Sequence, residues 1–557
     1  MDTRKELADL IFPHITKTIQ DLENEYPERN LSEGSKVTRF APSPTGFLHT
    51  GSLFTSMIAH KIAKDTNGVF YTRLEDTDTK REIEGSDKLL LRQLHEFNIV
   101  PNEGYFGDYE EGIYGPYVQS KRKDIYETVI KELLVRGDAY PCFLTEQELN
   151  ELREKQTANK EITGVYGKYA TYRDLDARIA IQYISEGKHY VIRFKSRGNH
   201  LNKIKVHDEI RGDLLLTEND QDIVIFKGDG LPTYHFAHVC DDHFMHTNLV
   251  TRGEEWLPSL PIHFEMFKVL GFKLPKYAHL PVIMKLDNGN KRKLSKRKDP
   301  EASVDFFLKE GFEPKSLLVY LMTIANSNYE DFIVQSKDYD LNHFKFSLKK
   351  MSLDGALFDN DKLNFYAKEI LSKMTKEEIG AKSYEWAKKY SPELKEFIEK
   401  DYNRYLEILN IEREKKNPRK DYAKYSDIYP IVSFFEHDNY LKAIGDNLIF
   451  NENISKDTIK KFLELYKGEY ALTNDENTWF THVKEIASLV GFCADNKIYK
   501  QDPSKWCGNI NDACEILRVA LVGRKVTPNL FSIMKILGND EITSRIEIVL
   551  SKLKYVL

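Results

Sequence analysis

The chain has 557 residues, 41% hydrophobic and 30% charged, with a formal net charge of −6 at pH 7. That length exceeds one hydrophobic core and implies about three or four domains. No apolar run approaches the roughly 18 residues of a membrane span, so a membrane partner is not expected. The five cysteines (142, 240, 493, 507 and 514) are odd in number and lack C-x-x-C pairing, which fits a reducing cytoplasm better than a disulfide framework. A negative total does not exclude a nucleic-acid partner, because phosphate binding depends on local basic patches.

Residues 1–35 carry more acidic than basic side chains at their start, unlike a transit peptide. Leu7, Leu10, Ile11, Ile15 and Ile19 recur near helical spacing and predict one amphipathic helix. From Lys36 the text reads strand (Val37–Phe40), Pro- and Gly-rich turn, helix (Leu53–Lys64), strand (Val69–Leu74), then a helix over Asp87–Phe97. That order is a βαβ unit and begins a parallel sheet. Residues 105–215 are denser in charge and Tyr and read as an insertion. The run Ile223–Lys227, the turn Gly228–Gly230, a helix after Pro232 and a strand at Asn248–Arg252 resume the α/β pattern. Past about 355, segments such as Asp361–Met374, Pro392–Leu409, Lys456–Tyr466 and Asp512–Arg524 have helical periodicity. The expected divisions are 1–35, 36–104, 105–215, 216–300, 301–355 and 356–557. The fold class is α/β, a Rossmann-like parallel sheet with an inserted subdomain and an all-α C-terminal region.

Two features carry chemistry. Arg39 to Ser52 reads R-F-A-P-S-P-T-G-F-L-H-T-G-S at the end of a strand and the start of a helix. A helix N-terminus presents unpaired N–H groups and a positive dipole end to a phosphate, Gly46 and Gly51 permit close approach, and His49 can donate to a phosphoryl oxygen. A Pro-rich capping turn is the alternative. The second feature, Lys291 to Lys298, holds six basic residues in eight. In isolation a solvated or localisation-type run competes with a mobile loop that brings Lys293 and Lys296 onto a polyphosphate.

Together these stretches resemble the two signatures of class I aminoacyl-tRNA synthetases: H-T-G-S at 49–52 for H-I-G-H, and K-L-S-K-R at 293–297 for K-M-S-K-S. A-P-S-P-T-G before the histidine, R-L-E-D-T-D at 73–78 and V-T-R-G-E-E-W at 250–256 are similar to bacterial-type glutamyl-tRNA synthetases. So is the C-terminal L-R-V-A-L-V-G-R-K-V-T-P-N-L-F. Glutaminyl-tRNA synthetases and a non-catalytic tRNA-binding paralogue are the alternatives. The fourth position of the first signature is Ser52, not histidine, which leaves His49 as the imidazole there.

The resemblance implies residue roles. Catalysis would rest on His49, Lys293 and Lys296, and ATP would meet Pro42, Ser43, Thr45, Gly46, His49, Gly51, Ser52, Glu255, Lys293, Leu294, Ser295, Lys296 and Arg297. Glutamate would be held by Arg39, Ala41, Ser43, Glu75, Tyr234, His238 and Arg252. Arg39 and Tyr234 would read its side-chain carboxylate, Arg252 its main-chain end, and Glu75 its ammonium. The 105–215 insertion would take the tRNA acceptor end, 301–355 would connect to the stem, and the helical C-terminus would read the anticodon. Lys415, Lys416, Arg419 and Lys420, interleaved with Tyr422 and Tyr425, are the candidate tRNA contacts. The implied partners are L-glutamate, ATP with Mg²⁺, and tRNA(Glu), acting on a cytoplasmic monomer. No zinc is expected, because Cys142 lacks companion ligands. The cluster from His238 to His246 matches no zinc spacing, so no metal is assigned to it.

Overall fold

The computed structural model describes residues 3–78, 82–295, 297–353, 355–445, 448–469 and 475–555. The chain forms two compact units. The first comprises Met1–Phe307 and Leu317–Asn360, the second Leu308–Ser316 and Asp361–Leu557.

The first unit is built on two half-sheets. One orders β1 (Val37–Phe40), β2 (Val69–Thr72), β3 (Glu103–Tyr105) and β4 (Glu110–Glu111), with β1, β2 and β3 parallel. All four residues of β1 are buried, as expected for a parallel strand covered on both faces. After β5 (Ala139–Cys142) and β6 (Val191–Phe194), which lie in another sheet, the other half-sheet uses β7 (Lys203–Asp208) and β8 (Gly212–Thr217). Beyond β9 (Val224–Phe226), it is completed by β10 (Leu249–Gly253) and β11 (Lys276–Leu280), in the order β10-β11-β7-β8. The halves meet where the Asn248 N–H donates to the Val37 carbonyl (3.2 Å) and the Val37 N–H donates to Asn248 Oδ1 (2.8 Å).

The strand read at Ile223–Lys227 does not resume this sheet. β9 pairs antiparallel with β6, which pairs antiparallel with β5, so it belongs to a separate three-stranded sheet of the inserted region. Conversely the β7–β8 hairpin, inside the predicted insertion, joins the α/β sheet through Asp208 opposite Tyr277. A short apolar run does not encode which sheet receives it.

The N-terminal segment forms two helices, Thr3–Ile11 and Ile19–Glu25, where one was expected. Pro13 lacks the N–H a continuous helix needs, and Thr18 starts the second helix with a reciprocal capping box to Asp21. Ala8, Phe12, Ile15, Leu22 and Tyr26 are buried in the same core as Val129, Leu133 and Phe236, so these helices are integral to the first unit. β12 (Ile283–Asp287) and β13 (Asn290–Lys293) form a hairpin, and β14 (Ala356–Leu357) pairs with β12. The strand text therefore persists just past 355.

The described residues of the second unit are helices and turns around one large core that includes Ile379, Leu394, Phe462, Val483, Leu517 and Ile546. The predicted helix Pro392–Leu409 is two helices, Pro392–Lys400 and Tyr402–Asn410. Extended backbone at Asp401 breaks it, and the Asp401 carboxylate caps the second helix on the Arg404 N–H (2.9 Å).

Candidate active site

Beyond β1 the chain runs beside residues 73–75: Arg73 N–H donates to the Phe40 carbonyl (3.0 Å) and Glu75 N–H to the Pro42 carbonyl (2.9 Å). Ser43 and Thr45 are exposed, and Ala41, Pro42, Gly46, His49, Gly51 and Ser52 are partly so. Gly46 has φ +126, a conformation that side chains resist, although a Cβ there would meet only Ile83 Cδ1, at 3.8 Å. His49 is the N-cap of the helix Thr50–Asp65, its Nδ1 accepting the Gly51 N–H at 2.9 Å. With Nδ1 occupied as acceptor, the neutral ring carries its proton on Nε2, the atom suited to donate toward an anion.

Lys291–Lys293 lie in β13, Leu294 is buried, and the Ser295 N–H donates to Asp299 Oδ2 (2.9 Å). Arg292 bridges Asp287 (2.6 Å) and both oxygens of Asp299 (2.6 and 2.8 Å). That hydrogen bonding holds the Asp299 carboxyl far below its usual range, despite partial desolvation. Lys293 Nζ is 3.2 Å from Glu255 Oε1, and Arg297 is exposed. Lys296 lies outside the described residues.

A short turn ties the two signatures together. Thr50 Oγ1 donates to the Glu301 carbonyl (2.6 Å), while the Glu301 carboxylate holds Lys285 of β12 (2.9 Å). Val304 N–H donates to the Leu48 carbonyl (3.0 Å) and Ser303 bridges His49.

The predicted amino-acid residues gather at the strand ends, in two different electrostatic settings. Arg39 is buried and holds Asp242 through Nε (3.2 Å) and Nη2 (3.2 Å). Arg73, fully buried, reaches Asp242 Oδ1 (2.8 Å), Glu75 Oε1 (3.0 Å) and Asp241 (3.5 Å). Burial alone would raise the Asp242 pKa, but Arg39 and Arg73 outweigh it and hold the carboxyl well below its normal range. Glu75 is shifted upward, burial prevailing over the two arginines. Arg122 and Tyr126 take Asp241 (2.6 and 2.9 Å).

Arg252 differs. Its hydrogen-bond partners among the described residues are neutral: His279 Nε2 (2.9 Å), His263 Nδ1 (3.3 Å), the Trp256 carbonyl (3.4 Å) and the Tyr234 hydroxyl (3.5 Å). Burial depresses the pKa of His263 and His238 well below the usual histidine value, with Asp242 partly opposing this at His238. Tyr234 therefore stands with Arg252, and its ring packs on Trp256 at 4.5 Å. His238 faces the ionised Asp242 carboxylate through Nδ1 (3.1 Å), which can only donate there, leaving Nε2 to accept from the Tyr277 hydroxyl (3.1 Å).

Arg73, Asp241, Asp242, His263 and His279 were not singled out from sequence. Arg73 opens the R-L-E-D-T-D stretch, and two adjacent acids in a largely buried helix signal buried cation partners. In the His238–His246 segment Cys240 is buried, Asp241 and Asp242 hold arginines, His243 meets Glu23 (2.6 Å), and His246 meets the Tyr26 carbonyl (2.8 Å). Among the described residues one group could converge on a cation, His14, Asp124 and Glu127, and it contains no cysteine.

In the second unit the basic run is largely paired. Lys415 meets Glu412 (2.9 Å), Arg419 meets Asp421 (2.6 Å) and the Thr527 carbonyl (3.1 Å), and Lys420 meets Glu369. Lys416 is exposed. Tyr425 is buried with its hydroxyl on Glu313, and Tyr422 packs against the core; neither ring is placed as an open stacking platform.

The sequence matches the family model of class I tRNA synthetases (E and Q), catalytic domain, over residues 36–365, and that of an anticodon binding domain over 509–550. It is 44% identical to the glutamate–tRNA ligase of Clostridium perfringens over 97% of this chain and 100% of the relative. It is also 44% identical to that of Acetivibrio thermocellus over 98% and 99%. A crystal structure of a glutamate tRNA ligase from Elizabethkingia meningosepticum in complex with its amino acid superposes with a TM-score of 0.74 at 26% identity, covering 94% of this chain and 100% of that one. This chain belongs to the glutamate–tRNA ligases of the class I tRNA synthetase family.

Proposed function

We propose that the chain activates L-glutamate with ATP and transfers it to the 3′-terminal ribose of tRNA(Glu). The observation that carries the amino-acid assignment is Arg252, a buried guanidinium whose hydrogen-bond partners among the described residues are neutral. A buried cation in that state attracts a carboxylate strongly. The side-chain carboxylate of glutamate keeps its charge through both steps, whereas the α-carboxylate loses its charge on activation. We therefore assign the side-chain carboxylate to Arg252 and Tyr234, a division different from that implied by resemblance. Glu75 then takes the ammonium, and Arg39, with Ala41, Ser43 and His238, lines the pocket near the reacting end.

In the first step an α-carboxylate oxygen attacks the α-phosphorus of ATP, the bond to the β-phosphate bridge breaks, and pyrophosphate leaves. His49 Nε2–H and Lys293 would stabilise the departing charge, with Lys296 as a further candidate, while Gly46, Gly51 and Ser52 cradle phosphate. In the second step a terminal ribose hydroxyl attacks the acyl carbon and AMP departs. No protein nucleophile is required; positioning and electrostatics supply the rate. Mg²⁺ is written here as part of the ATP substrate. The nearby carboxylates are each engaged by a cation (Glu255 by Lys293, Asp299 by Arg292, Glu301 by Lys285), so they make a poor cage for a free ion. No zinc is assigned.

Glutamine in place of glutamate would leave Arg252 facing a neutral amide, an arrangement costing roughly 3–5 kcal/mol. Free cysteines agree with a cytoplasmic setting, and a monomer suffices because one chain supplies every assigned residue. The test is aminoacylation of purified tRNA(Glu) and tRNA(Gln), each with glutamate and with glutamine. Glutamate charging is expected; charging with glutamine alone would overturn the reading.

A further inference from the structure

Arg252 is held by a chain of residues drawn from three adjacent strands. On β10 and β11 Arg252 and His279 are directly opposed in register. Asp208, the last residue of β7, is opposite Tyr277, two residues before His279 on β11. Its Oδ2 lies 2.7 Å from His279 Nδ1 and accepts the His279 backbone N–H at 3.0 Å, while its Oδ1 accepts the N–H groups of Ile210 and Arg211 (3.0 and 2.9 Å). The His279 and Asp208 side chains are both fully buried.

The polarity of this chain is fixed by what each atom can do. A guanidinium only donates, so His279 Nε2 must accept from Arg252 Nε. Asp208, whose burial is outweighed by its hydrogen bonds and stays ionised, only accepts, so Nδ1 must carry the proton. The imidazole then orients Arg252 while contributing no charge at the guanidinium. A carboxylate in direct contact would orient it too, but would compete with an incoming carboxylate, as Asp242 does at Arg39. One ring of separation keeps the counter-charge at hand for folding and out of the binding site.

We propose that Asp208 and His279 are positioning residues for glutamate, fixing the Arg252 guanidinium in the pocket without neutralising it. The proposal rests on the assignment of Arg252 to a substrate carboxylate. Two substitutions separate the two ends of the ring. In His279→Gln the amide oxygen replaces Nε2 as acceptor for Arg252. In His279→Asn the amide nitrogen replaces Nδ1–H for Asp208 and the acceptor for Arg252 is lost.

Steady-state aminoacylation with glutamate and ATP varied separately, alongside thermal melts, gives the readout. We expect His279→Asn to raise KM for glutamate by at least about tenfold, the scale of a lost charge-assisted hydrogen bond, with KM for ATP within about twofold. His279→Gln should return KM for glutamate to within about threefold of the parent. Equal KM for glutamate in both variants, or a parallel rise in KM for ATP, overturns the proposal. A second measurement needs no altered activity: ¹⁵N–¹H spectra of histidine-labelled parent protein at pH 7, with His279 assigned by its disappearance in His279→Gln. A proton on Nδ1 and none on Nε2 is expected; an Nε2–H tautomer or an imidazolium overturns the proposal. Failure of the parent to charge tRNA with glutamate would instead refute the functional reading, since the tautomer is read independently of turnover.

Discussion

The two half-sheets bring arginines to the same pocket in opposite states. On the first, Arg39 and Arg73 face Asp242, Glu75 and Asp241, so the cations are compensated inside the protein. On the second, Arg252 is surrounded by imidazoles, a phenol and a carbonyl. Burial is nearly the same for Arg39 and Arg252, both 6% exposed, so burial does not distinguish scaffold from recognition element. The charge of the neighbours does. A guanidinium already matched to a carboxylate is a structural member, and one matched to neutral acceptors is ready for a charged ligand.

The sharpest way to break this distinction is to remove each side in turn. Arg252→Gln should lower kcat/KM for glutamate by about 10³ while thermal stability falls little, as measured by aminoacylation kinetics and a melt. A stability loss as large as the activity loss would put Arg252 in the structural role of Arg73. Asp242→Asn should do the reverse in origin. Removing the carboxylate leaves two buried arginines short of a partner, and we expect about 3–5 kcal/mol of lost stability in urea unfolding. An unchanged midpoint would refute the compensation argument.

Acid should sharpen the contrast further. Burial, aided by Arg252, holds His235 down to about 4, against an ordinary 6.5. The unfolded chain therefore takes up this proton first as pH falls. The stabilisation is present above pH 6.5 and is lost progressively between 6.5 and 4, on the order of 3 kcal/mol at most. Denaturation midpoints at stepped pH should fall across that window, and His235→Gln should flatten part of the slope. Asp242, the helix-borne partner of Arg39 and Arg73, loses its contribution only at far lower pH, because its carboxyl is held well below the normal range.

The smallest effects belong to the basic run of the second unit, where the same rule applies. Lys416 is exposed, whereas Arg419 is fixed by Asp421 and the Thr527 carbonyl. Lys416→Ala should weaken tRNA binding about two- to threefold and reduce its salt slope. Arg419→Ala should act first on stability. Filter binding at several salt concentrations, with melts, would show the split, and identical behaviour of the two would argue against it.

Much of this site was legible in the sequence wherever recognition is local. Arg39, Gly46 and His49 lie within one strand–turn–helix, and Lys293 within a short basic run, so their motifs could be read locally, and the resemblance those motifs carry supplied their expected roles. The neighbours that decide their charge state were not legible. Asp242 is 203 residues from Arg39 and 169 from Arg73, and His279 is 27 from Arg252 and 71 from Asp208. These pairings depend on strand order and register, which local periodicity does not specify. The same cause misplaced β9 and the β7–β8 hairpin: the elements were readable, but their partners were not. In the second unit the helices were legible from their period, whereas Tyr425 entered the core because its hydroxyl finds Glu313.

The hydrogen bond from Thr50 to the Glu301 carbonyl spans 251 residues. Its consequence concerns the order of events during synthesis. A chain emerging from the ribosome exposes Arg39 and Arg73 long before Asp242 exists, and His49 long before the turn at 300–304. Contacts of such sequence separation form late, so the amino-acid and phosphate sites should mature together, after the intervening strands have docked. A fragment ending near residue 230 would keep Arg39 and Arg73 facing a core without Asp241 and Asp242, with only Glu75 to offset them, and so could not settle into the parent's first half-sheet.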